Sequence, residues 1–188
     1  MSLVFTKEWL NVANKALNLI GESPLQSLSG SSSNNESLNI QLPAAVEAVL
    51  SSYPFRCATR RTVLAPDADT VPAFGYAYSF PLPENFARLV RVENNKDFML
   101  EGGSILSNDT PLAIVYVALP KDPHSLSHSV IEAISLTLAY KMAQTATAND
   151  SLLNRLRQDA ALALVQAEKD DKAGHEQDSS MAWWGDAR

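Results

Sequence analysis

The stretch GYAYSFPLPENFARLVRV, Gly75–Val92, decides the fold class of this chain. Its aromatic residues Tyr76, Tyr78 and Phe80 alternate, a Pro-Leu-Pro sequence follows, and a second alternating run occupies Leu89–Val92. Side chains along a strand point to opposite faces in turn, so this period of two predicts a strand, a turn and a second strand. No obvious catalytic group accompanies them. The alternating aromatics therefore either fill an internal core or form a contact surface.

The short period continues on both sides of this stretch, from Thr59 to Val117. The runs rich in Val, Ile, Tyr and Phe are TVLAP, GYAYSF, LVRVEN, DFMLEGG, SILSN and LAIVYVAL. Pro, Gly, Asn and Asp separate these runs, and no helix fits between them for a parallel crossover, so antiparallel pairing is expected. The sequence Glu101–Ser104 predicts a hairpin turn, because its two glycines can take the positive φ that such turns require.

Two segments with helical periodicity precede the strands. The first is TKEWLNVANKALNLIG, with Thr6 as its candidate N-cap. The polar stretch Ser27–Ser37 has no period and predicts a mobile loop. The second helix is expected at about Glu36–Tyr53, and it either begins near Pro43 or kinks there, because proline is tolerated in a first turn and disrupts a helix interior.

Two further helices follow the strands. One contains SVIEAISLTLAYKMAQTAT, and the other, SLLNRLRQDAALALVQAEKDD, has Asn149 or Asp150 as its cap. The short link between them predicts an antiparallel helical hairpin. The sequence therefore predicts an α+β fold with four main helices and an antiparallel β insert between helices 2 and 3. The predicted division is N-terminal helices 1–58, β insert 59–119, a C-terminal hairpin 120–174 that packs with the N-terminal helices as one domain, and a mobile tail 175–188.

The composition favours a packed protein that does not grip nucleic acid. The chain has 188 residues, is 46% hydrophobic and carries a formal net charge of −6. DNA-binding surfaces are normally basic, so this charge disfavours a regulatory DNA-binding protein. Arg56, Arg60 and Arg61 are close in sequence, and we interpret them as a solvated or locally paired face. We expect neither a signal peptide nor a membrane-spanning stretch, which places the newly made protein in a cytoplasm.

The sequence motifs do not predict catalysis. The single cysteine, Cys57, lies beside basic residues, but a buried small hydrophobe is a commoner role for a free cysteine than a reactive nucleophile. His124 and His128 are four apart, yet the metalloprotease motif needs Glu directly after the first histidine, and Ser125 stands there. We therefore expect that the protein is not an enzyme and that it binds neither a metal nor a cofactor. The alternative is a small ligand-binding or enzymatic domain with a site between the strands and the helices.

The order of these elements resembles the tail tubular protein A family, which forms the head-to-tail adaptor, or gatekeeper, of short-tailed phages. The similar stretches are ALNLIGESPLQSL, YPFRCATRRTVLAP, GYAYSFPLPENFARLVRV, IVYVA, EAISLTLAYKMAQTAT and ALVQAEKDDKAG. They extend over residues 12–174, and their order and spacing carry the resemblance rather than any single motif.

The resemblance implies a structural virion protein, encoded by a phage or prophage. Such a protein self-associates into a ring, in this family of twelve copies, between a portal protein and a tail nozzle of the tail tubular protein B type. DNA passes through the ring without sequence-specific binding, and no membrane is involved. The implied location is the virion tail, and before assembly the host cytoplasm.

The β insert is one candidate contact surface in such a ring. It would serve as a rigid wall, because antiparallel strands can bury one face and an edge against a neighbour. Its candidate interface residues are Tyr76 and Tyr78, together with the basic pair Arg60 and Arg61 at its start.

The C-terminal tail, MAWWGDAR, is the other candidate. Tryptophan is enriched at binding hot spots, and a disordered segment can fold onto a partner. We expect Met181, Trp183 and Trp184 to dock on the portal or on a neighbouring subunit. The alternative is that they fold back onto the helices of their own chain.

Overall fold

The protein folds into a helical body and a small two-sheet sandwich. A computed structural model gives this structure and describes residues 6–93, 97–146 and 149–182. In chain order the elements are α1 (Trp9–Leu19), α2 (Ser33–Ser52), β1 (Thr59–Leu64), β2 (Tyr78–Pro81), β3 (Phe86–Val92), β4 (Phe98–Glu101), β5 (Ser104–Ser107), β6 (Leu112–Ala118), α3 (His128–Ala146) and α4 (Asp150–Ala182). This confirms the α+β class, the antiparallel insert between helices 2 and 3, and the adjacent C-terminal helices.

The helical body is built from one apolar face of each helix. All the apolar positions that periodicity selects on helices 2 and 3 are buried: Leu38, Leu42, Val46, Val49, Leu50, Val130, Ile134, Leu138 and Met142. Burying such side chains is the main source of stability in a domain core. Helix α4 packs along α3 through Leu156 and Ala167, both almost fully buried. In the part of the chain that the structure describes, no helix is long and apolar enough to cross a bilayer.

The start of α1 differs from the sequence prediction. Glu8 rather than Thr6 occupies the N-cap, and it makes no side-chain capping bond. The carbonyl of Thr6 instead accepts a hydrogen bond from the N–H of Trp9 at 3.1 Å. The Trp9 ring is fully buried, and its indole Nε1–H donates to the carbonyl of Lys121 at 3.0 Å. The start of α1 therefore has a hydrogen bond to a distant part of the chain, through Trp9, and no side-chain cap.

Helix α2 begins earlier than predicted. Ser32 caps it by accepting a hydrogen bond from the N–H of Asn35 at 3.3 Å. The Asn35 amide side chain donates to the carbonyl of Ser27 at 2.8 Å, which folds the serine-rich segment against the helix. Residues 33–37 of the predicted loop are therefore helical. Pro43 lies inside the helix, ten residues after its first residue, Ser33, and does not mark its beginning.

The six strands form two antiparallel sheets. The helix-side sheet has the order β1-β6-β3, and the distal sheet has the order β2-β5-β4. Their inner faces share one apolar cluster, in which Phe80 and Ile105 of the distal sheet join Leu112, Ile114 and Tyr116 of β6. Facing sheets bury their inward side chains in this way. The two strands that Gly75–Val92 predicts therefore exist, but each belongs to a different sheet.

The predicted hairpin turn is confirmed. Strands β4 and β5 pair in antiparallel register, with Leu100 opposite Ile105 and Glu101 opposite Ser104. Gly102 and Gly103 connect them with φ values of +58° and +84°. These are left-handed conformations that side chains with a Cβ adopt at a cost, which explains the two glycines.

The C-terminal elements follow their predicted caps. Asp122 accepts a hydrogen bond from the N–H of His124 at the start of a short 3₁₀ turn, and α3 begins at His128. Asn149, rather than Asp150, caps α4 by accepting from the N–H of Leu152 at 3.2 Å. Helix α4 then continues through residues 175–182, where the sequence predicts the first part of a mobile tail. Mobility of the tail stays a prediction.

Candidate interface surfaces

The outer face of the helix-side sheet carries a row of two arginines and a valine. The antiparallel register places Arg61 of β1 and Arg91 of β3 on opposite sides of Val115 in β6. Val115 is only 5% exposed, although it lies outside both apolar clusters. Arginine can lay its aliphatic stem along apolar surface while its guanidinium stays in water. The two stems are well placed to shield Val115 in this way.

This row belongs to a larger basic depression of about 600 Å³, here called the arginine groove. Its walls include Arg56, Arg60, Arg61, Arg91, Val90 and Val115. Within the described part of the chain, none of the residues that line it is a carboxylate. The groove is therefore locally basic, although the chain as a whole carries a net charge of −6.

The arginines of the groove differ in their partners. Arg56 contacts a carboxylate of α4, and Arg60 donates to two nearby backbone carbonyls at 3.1 and 2.9 Å. Arg91 forms an ion pair of 3.1 Å with Glu93, in which both side chains are about half exposed. Arg61 is exposed and has no ion pair within the described residues. Exposed ion pairs are weak, so the groove can still attract an anionic partner.

Sequence reasoning missed the contribution of the third strand. The run FARLVRV contains Arg88 and Arg91, and its alternation is the only signal for them. Register shifts in β3 lie between Phe86 and Arg88 and between Leu89 and Arg91. Arg91 thus joins the groove, while Arg88 donates to the carbonyls of Ser51 and Ser52 at 3.2 and 2.9 Å. A cation at the end of α2 offsets its helix dipole, so Arg88 links the sheet to the helical body.

The opposite side of the sandwich exposes apolar and acidic side chains. We call residues 65–81 and 97–111 the distal lobe; they comprise the distal sheet, the loop 65–77 that precedes it and the adjoining residues. Its exposed apolar side chains include Val71 at 71%, Phe74 at 89%, Met99 at 48% and Leu100 at 50%. The described residues 65–81 and 97–111 contain no lysine or arginine, and their carboxylates are Asp67, Asp69, Asp97, Glu101 and Asp109.

One of these carboxylates shapes the loop. Asp67 accepts a hydrogen bond from the N–H of Asp69 at 3.0 Å, and its own N–H donates to the carbonyl of Ser79 at 2.8 Å. The hydrogen bond from the Asp69 N–H, with a further one from the Thr70 side chain, lowers the pKa of the Asp67 carboxyl. Hydrogen bonds to the ionised form favour it, so Asp67 holds its negative charge to lower pH than an ordinary aspartate.

The predicted aromatic interface residues have separate environments. Phe80 is fully buried in the sandwich core, as the core interpretation predicts. Tyr78 is 36% exposed, and its ring centroid lies 6.3 Å from that of Phe80. Tyr76 is half-buried and precedes the strand, which begins at Tyr78. The alternating run therefore supplies one core side chain and one accessible ring, and a contact role for Tyr76 and Tyr78 stays a prediction.

The junction between strands and helices is packed with apolar side chains. Phe55, Ala58 and Val117 meet there and are 0–2% exposed. This is the place where a ligand-binding or enzymatic domain of the alternative kind would have its site. A second depression, of about 340 Å³, lies between Phe74 and Glu101 in the distal lobe.

His124, His128 and Cys57 lie in different elements of the fold. His124 lies in the short 3₁₀ turn and His128 begins α3, so they do not share one helix face. Cys57 is half-buried and packs against the helical core. Over the residues that the structure describes, no group of three or more His, Cys, Asp or Glu side chains could hold a metal ion.

The predicted tail contacts lie outside the side chains that the structure describes. Met181 falls in the last turn of α4, but its side chain is not among those described, and Trp183 and Trp184 lie outside the described residues. Docking of the tail on a portal or on a neighbouring subunit therefore stays a prediction.

Comparison with known proteins adds no family assignment. No family model matches the chain, and no curated protein matches it significantly.

Proposed function

We propose that this chain is a subunit of a ring-shaped head-to-tail adaptor, which lies between a portal and a tail nozzle and forms part of the DNA conduit. The observation that carries the proposal is the apolar side chains that the β insert leaves exposed. They include Phe74 at 89% and Val71 at 71% in the loop, with Phe98, Met99 and Leu100 along β4. Phe74 and Glu101 line one depression, which brings the loop beside the β4–β5 hairpin. Exposed apolar surface that is contiguous typically marks a protein contact site.

The free edge of the distal sheet strengthens this argument. Strand β4 pairs only with β5 among the described strands, so its other edge has backbone N–H and C=O groups available for pairing. Edge strands are usually protected by charge, proline or a covering element. Phe98, Met99 and Leu100 instead make this edge apolar, and only Glu101 adds a charge. Burial against another subunit would protect both the side chains and the edge.

The order of elements gives a second line of support. Two helices, a strand-rich insert and two adjacent helices follow the order that the resemblance to tail tubular protein A implies. An insert of this kind would act as a wall and contact surface. The insert needs partners that bury its exposed apolar side chains. In the tail tubular protein A family, neighbouring subunits of a ring would be such partners.

The charge of the chain suits a conduit. A net charge of −6 disfavours tight binding of phosphates, so DNA could move past without being held. The arginines of the groove form a local basic surface, which is better suited to a defined contact than to a continuous DNA track. We therefore propose that portal, nozzle and neighbouring copies are the stable partners of this chain, and that DNA is a transient one.

Electron microscopy of the protein mixed with the portal protein encoded nearby tests this function. The expected result is a ring that caps the portal, and the protein without portal is the control. No ring and no co-migration with the portal, at high concentration and across a range of salt, would contradict the adaptor role. The ligand-binding alternative would then be tested at the depression between Phe74 and Glu101.

The tail hypothesis is tested in the same assay. A chain truncated after Ala182 keeps all of α4 but loses Trp183 and Trp184. We expect it to fold and to lose portal capping. The double substitution Trp183→Ala with Trp184→Ala should have the same effect, and unchanged capping by both variants would rule out docking through the tail tryptophans.

A further inference from the structure

We infer that neighbouring copies meet head to tail, with the distal lobe of one copy seated in the arginine groove of the next. The inference rests on the proposed ring and names the two surfaces that would form its repeating contact. The occupant of the groove is thus a second copy of this chain.

Charge complementarity is the first argument. The groove contains Arg56, Arg60, Arg61 and Arg91, and no carboxylate is among its described lining residues. Asp171 and Glu93 pair with Arg56 and Arg91 beside it, so among the described residues Arg60 and Arg61 supply most of the charge left for a partner. The distal lobe has five carboxylates and no lysine or arginine in its described residues, 65–81 and 97–111. Opposite potentials on two surfaces steer their encounter and fix their register. The two surfaces therefore carry opposite charges, although both belong to one chain.

The positions of the two surfaces give the second argument. Arg61, Val115 and Arg91 lie on the outer face of the helix-side sheet, whereas Ile114 and Tyr116 on its inner face pack against the distal sheet. The groove and the distal lobe thus lie on opposite sides of the sandwich. A contact between two different patches is heterologous, and a heterologous contact forms a ring when its rotation closes.

Apolar surface on both sides gives the third argument. The sheet face at the groove exposes Val63 at 62% and Val90 at 38%. The lobe offers Phe74 at 89% and Met99 at 48%. Stable interfaces combine an apolar centre with a polar rim, and a few aromatic and arginine side chains contribute most of the affinity. The arrangement here would place Phe74 at the centre and the arginines around it.

Paired charge reversals test this contact. Arg61→Glu with Arg91→Glu alters only the groove, and Asp69→Lys with Glu101→Lys alters only the lobe. Sedimentation velocity over a concentration series up to the solubility limit measures self-association of each protein. We expect each double variant to weaken self-association about 10-fold or more, as disruption of complementary charges does. An equimolar mixture of the two variants should recover association, because opposite charges again face each other.

A matched control separates the contact from net charge. Arg155 and Arg157 are exposed on α4, far along the chain from the groove, and reversing both lowers the net charge by as much as the groove variant does. The variant Arg155→Glu with Arg157→Glu should associate like the unmodified chain. Circular dichroism and thermal unfolding of all variants establish that each is folded.

Three outcomes would overturn the inference. One is an unmodified chain that stays monomeric throughout the series. Another is a mixture that associates no better than either variant alone. The third is a groove variant that loses binding to a DNA duplex but self-associates normally, which would assign the groove to a polyanion instead.

The adaptor function and the head-to-tail contact can be tested separately. If the groove variant still forms a portal-capping ring, the head-to-tail contact is wrong and the adaptor function stands. If the unmodified chain and the charge-swapped mixture both associate but never cap a portal, the contact stands and the adaptor function is wrong.

Discussion

The backbone N–H of Arg56 donates a hydrogen bond to Oδ1 of Asp171 at 3.0 Å. Nε of the Arg56 guanidinium lies 4.0 Å from the same oxygen, and the Asp171 side chain is only 14% exposed. The adjacent Lys172 places its Nζ 5.5 Å from the centre of the Tyr53 ring. These contacts join the second half of α4 to the connector between α2 and β1. They therefore fix the helical body against the strand that begins the arginine groove.

Removing the Asp171 carboxylate should weaken the attachment of α4 to the connector and lower the stability of the fold. Asp171→Ala removes the acceptor of the Arg56 N–H, and because this bond lies at an exposed site we expect a loss of about 0.5–1.5 kcal/mol in the free energy of unfolding. Asp170→Ala is the matched control, because Asp170 is exposed and only accepts from Gln166 on the same helix. Its effect should stay within about 0.5 kcal/mol, as for most surface positions. Urea unfolding measures both, and equal losses would contradict the assigned role of Asp171.

The buried indole of Trp9 should also be costly to replace. Trp9→Phe removes the donor to the Lys121 carbonyl and leaves unfilled volume beneath α1. We expect a loss of about 1–3 kcal/mol, from the unpaired carbonyl and the cavity together. Tyr78→Phe, which removes a hydroxyl from a partly exposed ring, is the comparison and should be nearly neutral. Thermal and urea unfolding that rank the two variants in the reverse order would refute this anchor.

Substitutions at the two glycines of the hairpin between β4 and β5 should differ in their effect on stability. Gly103 has φ +84°, and a β-branched side chain is strained there, so Gly103→Val should cost about 1–2 kcal/mol or more. Gly102 has φ +58°, which asparagine tolerates well, so Gly102→Asn should be close to neutral. A Cβ added at either glycine would meet open space, which leaves backbone strain as the main cause of any loss. Equal stability of the two variants would contradict this explanation.

The loop of the distal lobe should respond to acid through Asp67. Its folded pKa is lowered, mainly by the hydrogen bond from the Asp69 N–H, so its contribution to stability is present above the ordinary pKa. That contribution disappears as the pH falls through the lowered folded pKa. The unmodified chain should therefore be more stable than Asp67→Asn at neutral pH, and the difference should shrink in acid. Melting temperatures against pH measure this, and a difference that grows in acid would show the opposite sign.

Local signals were sufficient for most elements. Alternation in Gly75–Val92, together with the short neighbouring runs rich in Val, Ile, Tyr and Phe, marks all six strands, because both signals depend on a few adjacent residues. The cap at Asn149 and the glycine turn at Gly102 are also local. The start of α1 is different, because Trp9 is anchored by Lys121, 112 residues away in sequence. No pattern near Thr6 reports such a contact.

The candidate surfaces required more than local signals. Arg60 and Arg61 are visible as a basic pair, but Arg91 is not, because thirty residues separate it from Arg61. Phe74 and Val71 appear in sequence as ordinary apolar residues, and their exposure depends on what covers them. Burial is set by the whole fold, so neither the groove nor the distal lobe could be predicted from the composition of the sequence.

The sequence by itself determined the α+β class, the order of helices and strands and the hairpin at Gly102–Gly103, since periodicity and turn chemistry act over a few residues. Only the tertiary structure decided that β2 and β3 enter different sheets and that β6 lies between β1 and β3. Which strands pair depends on the burial of distant apolar faces, and this long-range choice places Arg61 and Arg91 on either side of Val115.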